Sequence, residues 1–153
     1  MSDTVRITRE CPPEALDPGL AAALGARLAD DDGSILACCE TRSTVERRGL
    51  LRRTTEITLS AAVLTARHLV WAVGPEGGPY SAVAAPLREI RVSDYETSDQ
   101  FRLQPDSGMN VDGLPGSATG ERGSAFLPLG PEAAGARFRT ALRAAIKAAG
   151  GGL

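Results

Sequence analysis

The residues best suited to bind a ligand form a run of arginines and leucines in the first half of the chain, residues 47–53 (RRGLLRR). Arginine carries a planar fork of donors that matches phosphate groups. Two leucines between basic pairs suit insertion into an anionic bilayer interface, where each basic residue contributes roughly 1 kcal/mol. The candidate contacts with a ligand or a membrane are Arg42, Arg47, Arg48, Leu50, Leu51, Arg52 and Arg53. The alternative is a solvated hairpin end whose leucines pack on the domain.

Residues that could perform catalysis are sparse. A nucleophile needs a nearby base, and the only histidine, His68, has no acid partner that the sequence identifies, so we expect it on a strand surface. The glycine-rich residues 116–123 (GSATGERG) lack the Gly-Lys-Ser/Thr that grips phosphate and are typical of a hairpin loop. We expect Asp94, Glu96 and Asp99 at a solvated strand end. The sequence therefore predicts a protein that is not an enzyme and needs no cofactor.

The acidic and cysteine residues are not spaced as metal ligands. Residues 30–32 are consecutive aspartates, whereas a calcium loop spaces its ligands alternately, so a solvated turn is predicted there. The three cysteines include no CxxC pair, and an odd number is a poor basis for a disulfide framework. We expect Cys38 and Cys39 to be ordinary strand residues, one facing inward and one outward. No metal site is predicted.

The composition indicates one globular domain. The chain has 153 residues, of which 42% are hydrophobic and 24% charged. A formal net charge of −2 argues against nucleic acid as a partner. The apolar residues 59–73 are interrupted by polar ones, and residues 1–10 contain no apolar stretch of the signal-peptide type. We expect a cytoplasmic protein, either free or peripheral to the membrane.

The elements that must position these residues are mainly strands. A short helix is predicted after Asp17, a good N-cap, because Pro18 suits the first helical position and leucines recur every four residues at positions 20, 24 and 28. From residue 34 the hydrophobic period changes to two. We predict strands at 35–43, 56–64 and 68–73 and extended segments at 80–85, 90–95, 108–114 and 123–127. The breaker cluster at 74–79 (GPEGGP) predicts a loop.

The last predicted element is a helix over residues 132–149. An apolar stripe through Phe138, Leu142 and Ile146 runs along one side, and basic residues occupy the other. A helix this one-sided must dock on another element, here the predicted strands. The fold class that follows is α+β, mainly β.

Three segments resemble landmarks of the bacterial PH-like and GRAM-like domains. Residues 60–72 (SAAVLTARHLVWA) are similar to that family's strand–turn–strand, residues 85–90 (APLREI) to its Pro-Leu-x-x-Ile step, and residues 125–129 (AFLPL) with the following helix to its final strand and capping helix. The resemblance covers about residues 34–149. It implies a PH-like split barrel of two nearly orthogonal antiparallel sheets capped by the C-terminal amphipathic helix, here with an extra short N-terminal helix.

The resemblance also bears on ligands. It places residues 47–53 between the first two strands, where eukaryotic PH domains bind phosphoinositide headgroups. The chain departs from that pattern, because Arg53 is followed by two threonines and the loops at 74–79 and 115–122 carry little basic charge. PH-like domains also pair extended peptides with a sheet edge beside the helix.

The predicted organisation is an N-terminal extension with a short helix (1–33), a PH-like domain (34–149) and a flexible tail (150–153). The predicted function is a non-catalytic binding or scaffold module that recognises a protein or peptide partner. Two alternatives remain open. One is peripheral association with anionic membrane lipid through residues 47–53, and the other is a homo-oligomer joined through edge strands.

Overall fold

A computed structural model describes residues 2–31, 33–115 and 122–151, and these form eight strands and three α-helices. The first sheet has the order β1 (Ser2–Glu10), β2 (Ile35–Arg48), β3 (Arg53–Thr65), β4 (His68–Pro75) and β5 (Ser81–Pro86). The second has the order β6 (Arg91–Asp94), β7 (Gly108–Leu114) and β8 (Gly123–Pro128). The helices are α1 (Pro18–Leu28), α2 (Gln100–Leu103) and α3 (Ala133–Ala148). All pairings in both sheets are antiparallel, and over these residues neither sheet closes on itself.

The five-stranded sheet carries a hydrophobic cluster on each face. On one face, which we call the inner face, residues such as Leu64 and Trp71 pack with Leu142 of α3 and Met109 of the second sheet. On the outer face, Leu59, Ala61 and Val63 pack with Leu20 and Leu24 of α1. The predicted alternation along residues 57–63 is therefore confirmed. Because both faces are covered, β3 is buried without interruption from Leu59 to Thr65.

The two adjacent cysteines show the effect of this double covering. Cys39 belongs to the inner cluster and Cys38 to the outer one, and both are buried. The two side chains face inward and outward as expected, and the outward one is buried as well because Leu16 and α1 cover the outer face next to Cys38. Burial raises the pKa of the Cys38 thiol to about 12, so this thiol stays protonated at neutral pH.

Helix α1 forms as its sequence predicts. The Asp17 side chain accepts hydrogen bonds from the backbone N–H groups of Gly19 and Leu20, at 3.0 and 3.2 Å, and Pro18 occupies the first turn. The leucines at four-residue spacing face the sheet, and Leu20 and Leu24 are fully buried. The helix therefore covers the outer face over β3, β4 and β5.

Strand β1 has no counterpart among the predicted elements, because its pattern is the reverse of the usual one. Its apolar residues Val5 and Ile7 are 58% and 60% exposed, while Thr8 is buried. The Thr8 hydroxyl bonds the Thr41 hydroxyl at 2.7 Å and accepts from the Gly130 N–H at 2.7 Å. Hydrogen bonds rather than apolar contacts thus hold this strand against the core.

Helix α3 confirms the predicted apolar stripe, since Phe138, Leu142 and Ile146 are buried. None of the described helices has the length and apolar character needed to cross a membrane.

Arg139, on the side of α3 predicted to be basic, bonds Asp94 and Glu96 at 2.8 Å each. These carboxylates were expected at a solvated strand end. Asp94 does end β6, but both side chains are only partly exposed because they bind Arg139 of the helix. Burial raises the pKa of Asp94, but the hydrogen bonds from Arg139 and Arg143 outweigh it and hold the pKa below its ordinary value.

Candidate functional site

The predicted contact residues 47–53 form the end of a long hairpin, which we call the hairpin tip. The strands are longer than predicted, and Arg48 and Arg53 are the last pair between β2 and β3. The Gly49 N–H donates to the Arg52 carbonyl at 2.7 Å and closes the turn. Strand β4 pairs with β3 only from Thr58 onward, so the hairpin extends about 15 Å beyond β4 at the rise of an antiparallel strand.

The two leucines at the apex of the hairpin tip contact nothing. Leu50 is 104% exposed and Leu51 is 99% exposed. The alternative that they pack on the domain is therefore wrong. Two adjacent, fully exposed leucines are unusual, because exposed apolar side chains normally occur singly on a protein surface.

The arginines surround these leucines on both faces of the hairpin. Arg47 and Arg48 are neighbours in a strand and point to opposite faces. The Arg53 guanidinium bonds the Glu46 carboxylate at 2.8 Å, and the Arg47 guanidinium lies 3.9 Å from the Glu56 carboxylate. Both pairs are exposed, which makes each worth at most about 1 kcal/mol.

The positive charges of two arginines of the tip have no acidic partner close by among the described residues. Arg48 lies directly opposite Arg53 in the register, an arrangement that like charges disfavour. Between the described residues, neither Arg48 nor Arg52 forms an ion pair. The tip therefore presents an excess of positive charge around its apolar apex.

The structure does not bring Arg42 to this site. Arg42 lies six residues before Arg48 on the same strand, which corresponds to about 20 Å. Its guanidinium bonds Glu76 at 2.6 Å, in the loop predicted at 74–79. In the other predicted loop, residues 116–121 lie outside the described part of the chain, and Arg122 bonds Glu89 at 3.4 Å.

A second concave surface lies between α3 and the start of β2, and we call it the helix–edge groove. Strand β1 ends opposite Cys39, so residues 35–37 of β2 have no partner strand on that side. The cavity of about 550 Å³ is lined by Leu36, Ala37, Phe138 and Ala141, among others. The ion pair of Arg137 with Glu10 lies at its rim. A groove with both apolar and charged lining residues, beside a short open strand edge, results.

His68 has an acid partner that the sequence did not reveal. The Asp31 carboxylate bonds His68 Nδ1 at 2.8 Å, and it accepts from the Thr65 hydroxyl at 2.6 Å and from the Gly33 N–H at 2.8 Å. The Asp31 side chain is only 3% exposed, so the prediction of a solvated turn is wrong at this residue. Asp32 lies outside the described residues. The one feature of the sequence that indicated a bonded Asp31 carboxylate was the Asp-x-Gly spacing, which is typical of an Asx turn.

The Asp31 carboxylate also determines that the Nδ1 nitrogen of the His68 imidazole carries a proton. The hydrogen bond from Thr65, with smaller contributions from His68 and Gly33, lowers the pKa of Asp31 to about 2 although burial opposes this shift. An ionised carboxylate only accepts, so His68 Nδ1 carries a proton and Nε2 is left for other contacts. The Thr65 hydroxyl bonds Asp31 rather than the ring, so these side chains form no nucleophile–base–acid relay.

Comparison with known proteins adds no family to these observations. No protein-family model matches the chain, and neither a curated protein nor a solved structure matches it.

Proposed function

We propose that the protein is a non-catalytic module that binds the surface of anionic membranes through the hairpin tip. The observation that carries this proposal is the complete exposure of Leu50 and Leu51 at the apex. Transfer of a leucine side chain from water to an apolar medium contributes about 1.5–3 kcal/mol. Each arginine close to an anionic surface adds about 1 kcal/mol.

The shape of the hairpin supports a shallow, peripheral contact. Only the four residues of the turn lie beyond the last strand pair, so the leucines can enter the interface while the arginines stay at headgroup level. Arginine suits this position because its donor fork matches phosphate. The excess of arginines over acidic partners at the tip favours anionic lipid over neutral lipid.

We also propose that residues 34–149 form a PH-like split barrel. Support comes from the two antiparallel sheets, in which residues 34–149 supply every described strand except β1, and from α3, which packs on β2 and lies beside its start at Leu36 and Ala37. The hairpin tip is at the other end of β2, so the helix and the proposed contact lie at opposite ends of that strand. An experimental structure in which the two sheets run nearly parallel would contradict this assignment.

The membrane proposal is tested by sedimentation with vesicles of phosphatidylserine and phosphatidylcholine. We expect the wild-type protein to sediment with anionic vesicles at low salt, and the double variant L50S/L51S to bind at least tenfold more weakly because it loses its apolar apex. The matched control is V5S/I7S, which removes two exposed apolar side chains from β1 and should bind as the wild type does.

Two outcomes decide against the membrane proposal. One is wild-type protein that stays in the supernatant at low salt. The other is equal loss of binding in the tip variant and in the β1 control. All four positions are exposed, so the unfolding midpoints of both variants should match the wild type and exclude misfolding as a cause.

A second function is favoured by the helix–edge groove, which fits an extended peptide paired with residues 35–37 of β2 beside Phe138. The test is a pull-down that compares the wild type with L36E. The control L103E also adds a charge at an exposed leucine, but on α2. We expect the wild type and L103E to retain a partner protein that L36E does not retain.

The same groove is where copies of the chain could pair, so the mass in solution completes this test. A dimer of the wild type that L36E converts to monomer would assign the open edge to self-association instead of peptide binding. Equal retention by all three proteins would contradict the peptide proposal.

A further inference from the structure

We propose that the cavity beside His68 binds a phosphate group, either free or carried by a larger molecule, with His68 and Arg88 as the contacting residues. This cavity, which we call the basic cavity, has a volume of about 480 Å³ and is lined by Ala66, Arg67, His68, Pro86, Arg88 and Ala149. It lies between the β3–β4 turn, the end of β5 and the end of α3, away from the hairpin tip. Its size falls within the range of small-molecule sites.

The imidazole of His68 is held in one orientation. Its Nδ1 bonds the Asp31 carboxylate at 2.8 Å, and Asp31 is itself fixed by Thr65 and Gly33. A third of the His68 side chain is exposed, and the ring nitrogen left for a ligand is Nε2. This arrangement places a positioned imidazole at the wall of the cavity at no further cost in side-chain entropy.

The charge of the cavity favours an anion. Half of the lining residues that the structure describes are basic, and none of these residues carries a carboxylate. The nearby Asp31 is buried behind His68 and already accepts three hydrogen bonds. Arg88 is exposed, and within the described part of the chain it takes part in no ion pair. The proposal rests on His68 and Arg88 alone.

The end of α3 does not compete for these donors. The carbonyls of Ala145, Ile146 and Lys147 accept hydrogen bonds from the N–H groups of residues 149, 151 and 150, at 3.0, 2.9 and 3.1 Å. The helix end is thus capped by its own backbone, with Gly150 at φ 82° as in a common C-terminal cap. Arg88 is not needed to cap it and remains available to a ligand.

Phosphate fits these groups better than a carboxylate does. Arg88 is a donor only, so it requires acceptor oxygens, which both anions provide. A neutral Nε2 is an acceptor and requires a donor, which the P–OH of a hydrogen phosphate provides and a carboxylate does not. When the imidazole is protonated, Nε2 donates to a phosphate oxygen instead. A phosphate group can therefore form a hydrogen bond with Nε2 whether that nitrogen accepts or donates, and with Arg88 in either case.

The experiment uses the single histidine of the chain as its probe. The full-length protein, labelled with ¹⁵N, is titrated with inorganic phosphate while chloride keeps the ionic strength constant, and the imidazole nitrogens are followed by NMR. We expect a saturable shift of the His68 Nε2 resonance, and about tenfold weaker affinity in R88Q, which loses a charge-assisted hydrogen bond. The matched control is R27Q, an exposed arginine on α1, which should leave the affinity unchanged.

Three results would overturn the proposal: a shift that never saturates, an equal shift with chloride alone, and full affinity in R88Q. The variant L50S/L51S separates this site from the membrane contact, since it should lose vesicle binding and keep phosphate binding. Loss of phosphate binding in that variant would place the phosphate at the tip and would also contradict the proposal.

A second arm of the experiment identifies the source of the phosphate group. Vesicles that contain phosphatidic acid present a phosphate monoester on a lipid. If R88Q binds these vesicles more weakly than R27Q does, the natural source is a lipid headgroup. If both bind equally while R88Q has lost inorganic phosphate, the source is a soluble phosphate compound.

Discussion

Asp31 links two separate segments of the chain through one buried carboxylate. It accepts from the Gly33 N–H two residues along the chain, from the Thr65 hydroxyl at the end of β3 and from the His68 ring at the start of β4. The Thr65 oxygen in turn accepts from the N–H groups of Arg67 and His68. The connection after α1 is thereby tied to the β3–β4 turn. Hydrogen bonds to a charged group contribute about 1.5–3 kcal/mol each.

We expect D31N to lower the free energy of unfolding by about 1–3 kcal/mol at neutral pH, because an amide cannot accept all three donors as a carboxylate does. The pKa of Asp31 is lowered from 3.8 to about 2 in the folded protein. The stabilisation is therefore complete above about pH 4 and is lost as the pH falls toward 2. Denaturant unfolding of wild type and D31N at a series of pH values measures this difference.

The control for this prediction is D30N, because the neighbouring Asp30 is exposed. Its stability should match the wild type throughout the pH series. A difference between wild type and D31N that stays constant down to pH 2 would show that the carboxylate charge is not what stabilises this cluster.

At the scale of elements, the hydrophobic pattern predicts those strands and helices whose buried faces are apolar. Residues 108–114 form a strand with the predicted bounds, and α1 begins at its predicted cap. Strand β1 escapes prediction because threonine hydrogen bonds replace apolar burial. The ends of β2 and β3 escape it because cross-strand pairing continues through residues that are half-buried or exposed and show no apolar alternation.

The candidate sites likewise include features that the sequence reveals and features that only the fold creates. The chemistry of residues 47–53 is visible in the sequence, because arginine forks and leucines act through their own side chains. The contact of Asp31 with His68 joins residues 37 positions apart, which no local pattern reveals. The basic cavity is likewise assembled from three segments brought together only by the sheet and α3.

The projecting hairpin should be the first place where trypsin cuts. We expect cleavage after Arg48 and Arg52, because the turn between them lies beyond the paired strands and opens at little cost. Mass spectrometry of the early fragments identifies the cut. Anionic vesicles should slow this cleavage and neutral vesicles should not. Early cleavage elsewhere, with the tip intact, would contradict the exposure described for this turn.

At the scale of the whole molecule, one sheet connects two hydrophobic clusters. The inner cluster contains Trp71 and the outer cluster contains Leu24 of α1, with β3 and β4 contributing side chains to both. Because successive residues of these strands belong to opposite clusters, loss of packing on one face disturbs the strands that hold the other. The helix near the N-terminus is thus part of the core.

We expect L24A to destabilise the protein by about 2–5 kcal/mol, because it leaves a cavity at a fully buried leucine. The loss should appear equally in the fluorescence of Trp71, the only tryptophan, and in the far-ultraviolet circular dichroism. R27A, an exposed change on the same helix, is the control. A Trp71 transition that L24A does not move would mean that α1 unfolds independently of the sheet.

The register of β1 determines where a fusion tag can be placed. Ser2 lies opposite Arg47, so a tag fused at this end would start beside the hairpin tip and crowd a membrane at that surface. Ala149 lines the basic cavity, so an extension after α3 starts close to His68 and Arg88 instead. Vesicle experiments therefore call for a tag at the C-terminus, and phosphate titrations for a tag at the N-terminus.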